Sequence, residues 1–297
     1  MVGGEHVGND RVGGEHAAGG VGHGASEPGA SAGTVHHERH GDGVPLVLVH
    51  DRALTAAAWD GEVASLAEDH DVVRYDLRGH GRSPAVRGDF SHVDDLRSLL
   101  DHLALERAVL VGAGLGARIA VDAALTHPER VHGLVLASPE LSGARYRDPY
   151  VLAHNDRLRD AAGSTNAPDV IELLLRLWVD GPHRTAGQTD AAVRDRCRSL
   201  YEESLSTLAA GTGRSLELRA NDRLAELELP VRVLVGELAT SDVHDAAALL
   251  VAKVRGASVG MLAGVGHQVN LEAPGPFTNV VREFTDRVRT TAADHTD

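Results

Sequence analysis

Among the 297 residues, His267 is the side chain best suited to move a proton. It ends the turn Gly264-Val265-Gly266-His267. An imidazole in a shaped pocket titrates near neutral pH and can act as general acid or base. A nucleophile to go with it is harder to find. Val111-Gly112-Ala113-Gly114-Leu115-Gly116-Ala117 lies between an apolar run and a helical pattern. That is the setting of a sharp strand-to-helix turn with a nucleophile exposed at its centre. Here the centre is Gly114, which has no side chain and can form no acyl-enzyme. Nor is the turn a dinucleotide loop, which belongs after the first strand of a fold with an acid about 20 residues on. Cys197 stands in the charged run Arg194-Asp195-Arg196-Cys197-Arg198 with no nearby base, so it reads as structural.

The elements that must position these residues are legible as short apolar runs bounded by Gly, Asp or Pro. Residues 45–49, 72–75, 108–111, 131–137, 231–235 and 257–262 have the pattern of strands buried on both faces of a parallel sheet. Helical patterns over 55–68, 91–103, 115–126, 245–254 and 276–290 separate them, which predicts an open α/β architecture. Between residues 140 and 227 the alternation stops. Helical patterns at 170–178 and 191–208 with no strong strand predict a helical cap over the carboxyl edge of the sheet, where such sheets bind ligands. The expected division is a core of 34–139 and 228–290, the cap at 140–227, and disordered tails at 1–33 and 291–297. The first tail is rich in Gly and His and repeats Val-Gly-Gly-Glu-His. It cannot bury enough apolar surface to offset chain entropy. Its His6, His16 and His23 have no closed-site ligand spacing.

Five segments in order resemble the α/β-hydrolase superfamily. More narrowly, they resemble its capped small-molecule members, such as esterases, lactonases, haloperoxidases and carbon–carbon hydrolases. They are Leu46-Val47-Leu48-Val49-His50-Asp51-Arg52 with Trp59; Asp76-Leu77-Arg78-Gly79-His80-Gly81-Arg82-Ser83; the turn around Gly114; Gly236-Glu237-Leu238-Ala239; and Gly264-Val265-Gly266-His267 followed by Glu272-Ala273-Pro274. The resemblance spans residues 35 to 290. It implies an α/β-hydrolase fold, a mostly parallel sheet flanked by helices with the cap inserted between two strands. It also places His267 at the position of the triad base. The backbone N–H groups of Arg52 and Leu115 fall at the oxyanion-hole positions, and His50 and Trp178 become pocket candidates. Three departures stand out: Gly114 at the nucleophile, Ala239 at the acid, and Asp51 where the family usually has Gly. A side chain at 51 either narrows the pocket floor or places a carboxylate near it.

A triad needs a hydroxyl to attack, an imidazole to take its proton and a carboxylate to hold that imidazole. Two of the three are missing, and losing the nucleophile alone costs on the order of 10⁶ in turnover. The leading expectation is therefore a non-hydrolytic enzyme for cyclisation, elimination or isomerisation of a small organic molecule, with His267 as general acid/base. One alternative is a ligand-binding pseudoenzyme. Another is a hydrolase in which His267 activates water, with Glu140 or Asp242 supplying the missing acid. Neither metal nor organic cofactor is expected. A net charge of −14 argues against nucleic-acid and anionic-membrane partners. With no membrane span or signal peptide legible, the expected location is cytoplasmic.

Overall fold

The computed structural model describes residues 35–162, 167–216 and 218–293. The segment 1–33, with its three histidines, and residues 294–297 lie outside them. Seven strands form one sheet: β1 (His37–His40), β2 (Val44–Val49), β3 (His70–Tyr75), β4 (Ala108–Ala113), β5 (Val131–Ala137), β6 (Val231–Gly236) and β7 (Ser258–Leu262). Their order is β1-β3-β2-β4-β5-β6-β7, with β1 antiparallel to β3 and the other pairs parallel.

Period-two alternation sorts the strand side chains to two faces. Val47, Val49, Leu110, Leu134, Leu136 and Val233 pack with α2 (His92–His102), α3 (Leu115–Thr126) and α7 (Ser241–Lys253). Leu46, Leu48, Val109, Val111 and Val135 pack with α1 (Asp60–Leu66) and α9 (Pro274–Ala293), where Trp59 stacks on Phe277. Both faces are covered over β2, β4, β5 and β6, so these strands read as continuous apolar runs. Edge strand β7, expected to be buried on both faces, leaves Val259 and Met261 exposed because nothing among the described residues pairs beyond it.

Register sets the site. Val49 pairs with Gly112, Ala113 with Ala137, Ala137 with Leu234, and Gly236 with Leu262. The carboxyl ends of β2, β4, β5, β6 and β7 therefore come level. The turns that follow them, bearing Asp51, Gly114, Ser138, Ala239 and His267, open at one edge.

Between β5 and β6 the described residues hold α4 (Pro149–Ala162), α5 (Ala167–Leu175), a π-helical turn (Arg176–Asp180) and α6 (Ala191–Ala209), and no strand. These helices share an apolar cluster that includes Ile171, Leu175, Trp178, Leu200 and Tyr201. It also takes in Ala53, Leu54 and Ala58 from the loop after β2, and the Ser204 hydroxyl donates to the Leu54 carbonyl.

The structure differs from expectation at the ends of several elements. Strand β1 is a polar edge strand, His-Glu-Arg-His, with no apolar signal to reveal it. Helix α7 begins at Ser241 rather than 245, because Asp148 accepts from the Ser241 N–H and hydroxyl and so caps its first turn from a distant segment. Helix α9 continues past residue 290 to Ala293, into the stretch expected to be a disordered tail.

Candidate active site

The turn after β4 is shaped by three glycines. A Cβ at Gly112 would meet the Gly116 carbonyl at 2.4 Å, and one at Gly116 would meet the Val49 carbonyl at 2.0 Å. These two permit α3 to start hard against the sheet. Gly114 has φ 48 and ψ −111, a conformation that costs side-chain-bearing residues energy. Its missing side chain matters more. A Cβ on Gly114 would lie 1.9 Å from Oδ1 and 2.3 Å from Cγ of Asp51. The Asp51 carboxylate thus fills the space into which a side chain at the centre of this turn would project.

That carboxylate is fully engaged. Its Oδ1 accepts from the backbone N–H of Leu115 at 2.9 Å and of Arg52 at 2.6 Å. These are the two donors the resemblance assigns to an oxyanion hole. Oδ2 lies 3.0 Å from His267 Nε2 and accepts from the Gln268 amide at 3.2 Å. The Asp51 and His267 side chains are 3% and 4% exposed. Burial alone would push the Asp51 carboxyl up. Hydrogen bonding and charge from His267, with the Leu115 and Arg52 amides, outweigh it and hold the carboxyl below its ordinary value. An ionised carboxylate in contact with Nε2 requires a proton on that nitrogen. At the other end of the ring, Nδ1 is buried without a hydrogen-bond partner.

The surrounding groups brace this pair. His50 Nε2 accepts from the Leu77 N–H at 2.9 Å, so Nδ1 carries the proton and donates to the Asp51 carbonyl at 2.8 Å. Burial lowers the His50 pKa to about 4, which keeps this bridge neutral. The Ser138 hydroxyl donates to the His267 carbonyl at 2.7 Å and holds the histidine turn from the end of β5. Trp178, on the π-helical turn, lies against the His267 ring with centroids 4.9 Å apart.

Two acid assignments need correction. Glu140 pairs with the Arg52 guanidinium at 2.8 Å, and Asp242 accepts from the backbone N–H groups of Arg147 and Asp148 at 2.8 and 3.1 Å. The carboxylate bonded to His267 is Asp51. The departures at Asp51 and Gly114 are complementary in volume: a side chain gained on one turn and lost on the facing one. That coincidence was the signal available in the sequence. Cys197 is buried, and burial pushes its thiol up to about 12, which suits an inert core residue.

A cleft of about 780 Å³ opens above the pair. Arg52, Glu140, Tyr146, Trp178, Thr240 and Asp242 are among its walls, but neither Asp51 nor His267 reaches it. Arg52 and Trp178 belong to both, touching the buried pair on one side and the cleft on the other. Among the described residues there is no cluster of three metal-ligating side chains, and no helix is long and apolar enough to cross a membrane.

Known proteins with similar sequences carry names of several activities. A pimeloyl-[acyl-carrier protein] methyl ester esterase of Aeromonas hydrophila is 29% identical over 262 residues, covering 83% of this chain and 97% of the esterase. A Bacillus subtilis protein provisionally named 2-succinyl-6-hydroxy-2,4-cyclohexadiene-1-carboxylate synthase is 28% identical over 257 residues, covering 80% of this chain and 89% of that one. Among solved structures, a carboxylesterase of the thaumarchaeon Nitrososphaera gargenis superposes with a TM-score of 0.71 at 23% identity, over 90% of this chain and 98% of its own. The family model described as alpha/beta hydrolase fold matches residues 44–214, from the first buried strand into the helical insertion. By that match, and by a sheet whose turns converge on Gly114 and His267, this chain belongs to the α/β-hydrolase family.

Proposed function

We infer that this chain is a hydrolase that attacks saturated carbon through Asp51, with the helices between β5 and β6 as a cap over a small-molecule site. The observation that carries this reading is the placement of the two carboxylate oxygens. Oδ1 occupies the pair of amides that would otherwise polarise a substrate carbonyl, so acyl transfer from a substrate has no oxyanion site. If the acyl centre is instead the carboxyl carbon of Asp51, Oδ1 is already where the negative charge develops. The family names of several relatives, esterase among them, fit hydrolysis better than a proton-transfer enzyme with an isolated imidazole.

Proton inventory narrows the leaving group. His267 Nε2 must bear a proton to contact Asp51 and must be bare to activate water, so the first step has to consume that proton. A leaving oxygen does so; a halide does not. The substrate class is therefore a strained cyclic ether. In the proposed cycle the His267 ring starts with protons on both nitrogens: Oδ2 attacks a carbon of the cyclic ether, the C–O bond breaks, and the departing oxygen takes its electron pair and the Nε2 proton. The product is an alkyl ester of Asp51 and a neutral imidazole. Water then gives a proton to Nε2 and adds to Cγ, with the oxyanion at Oδ1 between the Leu115 and Arg52 amides. Collapse expels the second alcohol oxygen, which takes the proton of the incoming hydroxyl. A diol leaves, and the carboxylate–imidazolium pair returns. Access to Asp51 runs past Arg52 and Trp178, so turnover requires one of them to move.

A single turnover of styrene oxide by excess protein in ¹⁸O-water tests this directly. The expected result is ¹⁸O in the peptide bearing Asp51, unlabelled diol, and an ester adduct that accumulates because Nδ1 has no carboxylate to support the second step. Label in the first-turnover diol with none in Asp51 overturns the nucleophile assignment. Absence of turnover on styrene oxide and on p-nitrophenyl acetate would leave the ligand-binding reading. The four hydrogen bonds that plug the carboxylate in place favour it as the second choice.

A further inference from the structure

We propose that the cleft above the buried pair binds a small organic carboxylate that carries an aromatic or alkyl group and a hydrogen-bond donor. Four observations meet there. The first is charge. Arg145 and Arg147 line the cleft, are exposed, and make no side-chain ion pair among the described residues. Of the acidic side chains in the same walls, Glu140 is taken by Arg52, and Asp242 is taken by two backbone N–H groups. Asp245 remains, exposed on α7. In a chain of net charge −14, a cleft with two unpaired guanidinium groups is a local attractor for anions.

The second is an unused donor. Thr240 lines the cleft, is 2% exposed, and its hydroxyl has no hydrogen-bond partner. A buried hydroxyl without a partner costs free energy unless a ligand or water satisfies it. The third is an unused acceptor: the Asn221 side-chain oxygen, also in the cleft wall, is buried and unpartnered. It calls for a hydroxyl or amine on the ligand. The fourth is an apolar wall. Trp178 and Tyr146 stand 6.2 Å apart between ring centroids, and both line the cleft. The volume of about 780 Å³ lies within the range of small-molecule sites.

These features are independent of whether Asp51 turns over, so the test reads binding alone. Calorimetry on the full chain compares three probes: 3-phenyllactate, 3-phenyllactamide, which lacks the charge, and 3-phenylpropionate, which lacks the donor. The expected result is phenyllactate tightest, with the amide about tenfold weaker or worse, phenylpropionate severalfold weaker, and the first affinity falling with added salt. Arg145→Ala with Arg147→Ala should weaken phenyllactate about tenfold and leave the amide unchanged. Thr240→Val should weaken both carboxylates severalfold, and Thr240→Ser should restore them. Equal affinity for acid and amide, indifference to the double arginine variant, or no heat from any probe at millimolar concentration overturns the proposal. Retained binding without turnover of styrene oxide would count against the hydrolase reading only.

Discussion

Between Gly114 and the His267 ring lies a carboxylate that comes from a different turn, and the two positions can be exchanged only together. A serine at 114 with Asp51 still present would drive Cβ to within 1.9 Å of Oδ1. Gly114→Ser alone should therefore cost about 2–4 kcal/mol, the range for overpacking a dense, strained site. Asp51→Gly alone opens a cavity, leaves the Leu115 and Arg52 amides without their acceptor, and should cost about 1–3 kcal/mol. The double variant relieves the clash. We expect a coupling of about 2 kcal/mol or more between the two sites in urea unfolding, and simple additivity would refute the shared-volume account. The same double variant should react with a fluorophosphonate probe at residue 114, whereas the parent chain should not.

At the scale of elements, the histidine turn is fastened to the helical insertion. Arg184 Nη1 pairs with Glu272 at 2.6 Å, and its Nη2 donates to the Val179 carbonyl, with both charged side chains under 10% exposed. Glu272 also accepts from the Gly266 N–H at 3.1 Å, one residue before His267. A Cβ at Gly266 would fall 2.1 Å from Arg184 Nη2, so a side chain there would push the guanidinium off Glu272. Breaking one partner of a buried pair costs about 3–5 kcal/mol because the other is left unpaired. Arg184→Ala should show that loss in thermal unfolding, and Arg184→Ala with Glu272→Gln should recover part of it. If Arg184→Ala falls within 0.5 kcal/mol, a flag of about the scatter for surface changes, the clamp is not structural. The π-helical turn that follows α5 and carries Val179 belongs to the same assembly, since it places Trp178 against the His267 ring.

At the scale of the whole molecule, buried titratable groups set the pH window of stability. His50, His80 and His92 are buried and neutral, with burial the main cause of values lowered to about 4, 3 and 3. Each binds a proton more readily in the unfolded chain, so its contribution is intact above about pH 6.5 and is lost as pH falls toward 3–4. Glu62 is the opposite case. Its carboxyl is buried with one oxygen unpartnered, and burial raises it to about 8. Its contribution is intact below about pH 4.5 and is lost as pH climbs through 8, because the folded chain must then give up or bury a charge. The two windows overlap, and with three histidines against one carboxyl the unfolding free energy should pass through a maximum near about pH 7. Glu62→Gln should steepen the rise between about pH 5 and 6.5, flatten the decline between about pH 7 and 8, and leave the limb below about pH 4 alone. An unchanged slope would show that Glu62 finds solvent or a partner.

Much of this protein could be read from the chain alone. Alternating apolar runs and helical patterns determine which segments become buried strands, because a strand covered on both faces has to be apolar at every position. The glycine-rich turn and the Gly-x-Gly-His turn were legible for a similar reason: tight backbone approaches leave few residue types that fit. Polar β1 and the early start of α7 escaped, since the first is held by pairing with β3 and the second by Asp148, nearly a hundred residues away in sequence. The partner of His267 escaped too. Two carboxylates, Glu140 and Asp242, were candidates on chain position, whereas the level ends of β2, β4 and β7 bring a third, Asp51, across the gap at Gly114 to the imidazole. Sequence determined that glycine stands at 114 and alanine at 239. Tertiary structure decided what stands in the vacated space, because side-chain volume and hydrogen-bond partners are shared between turns that only the folded sheet makes neighbours.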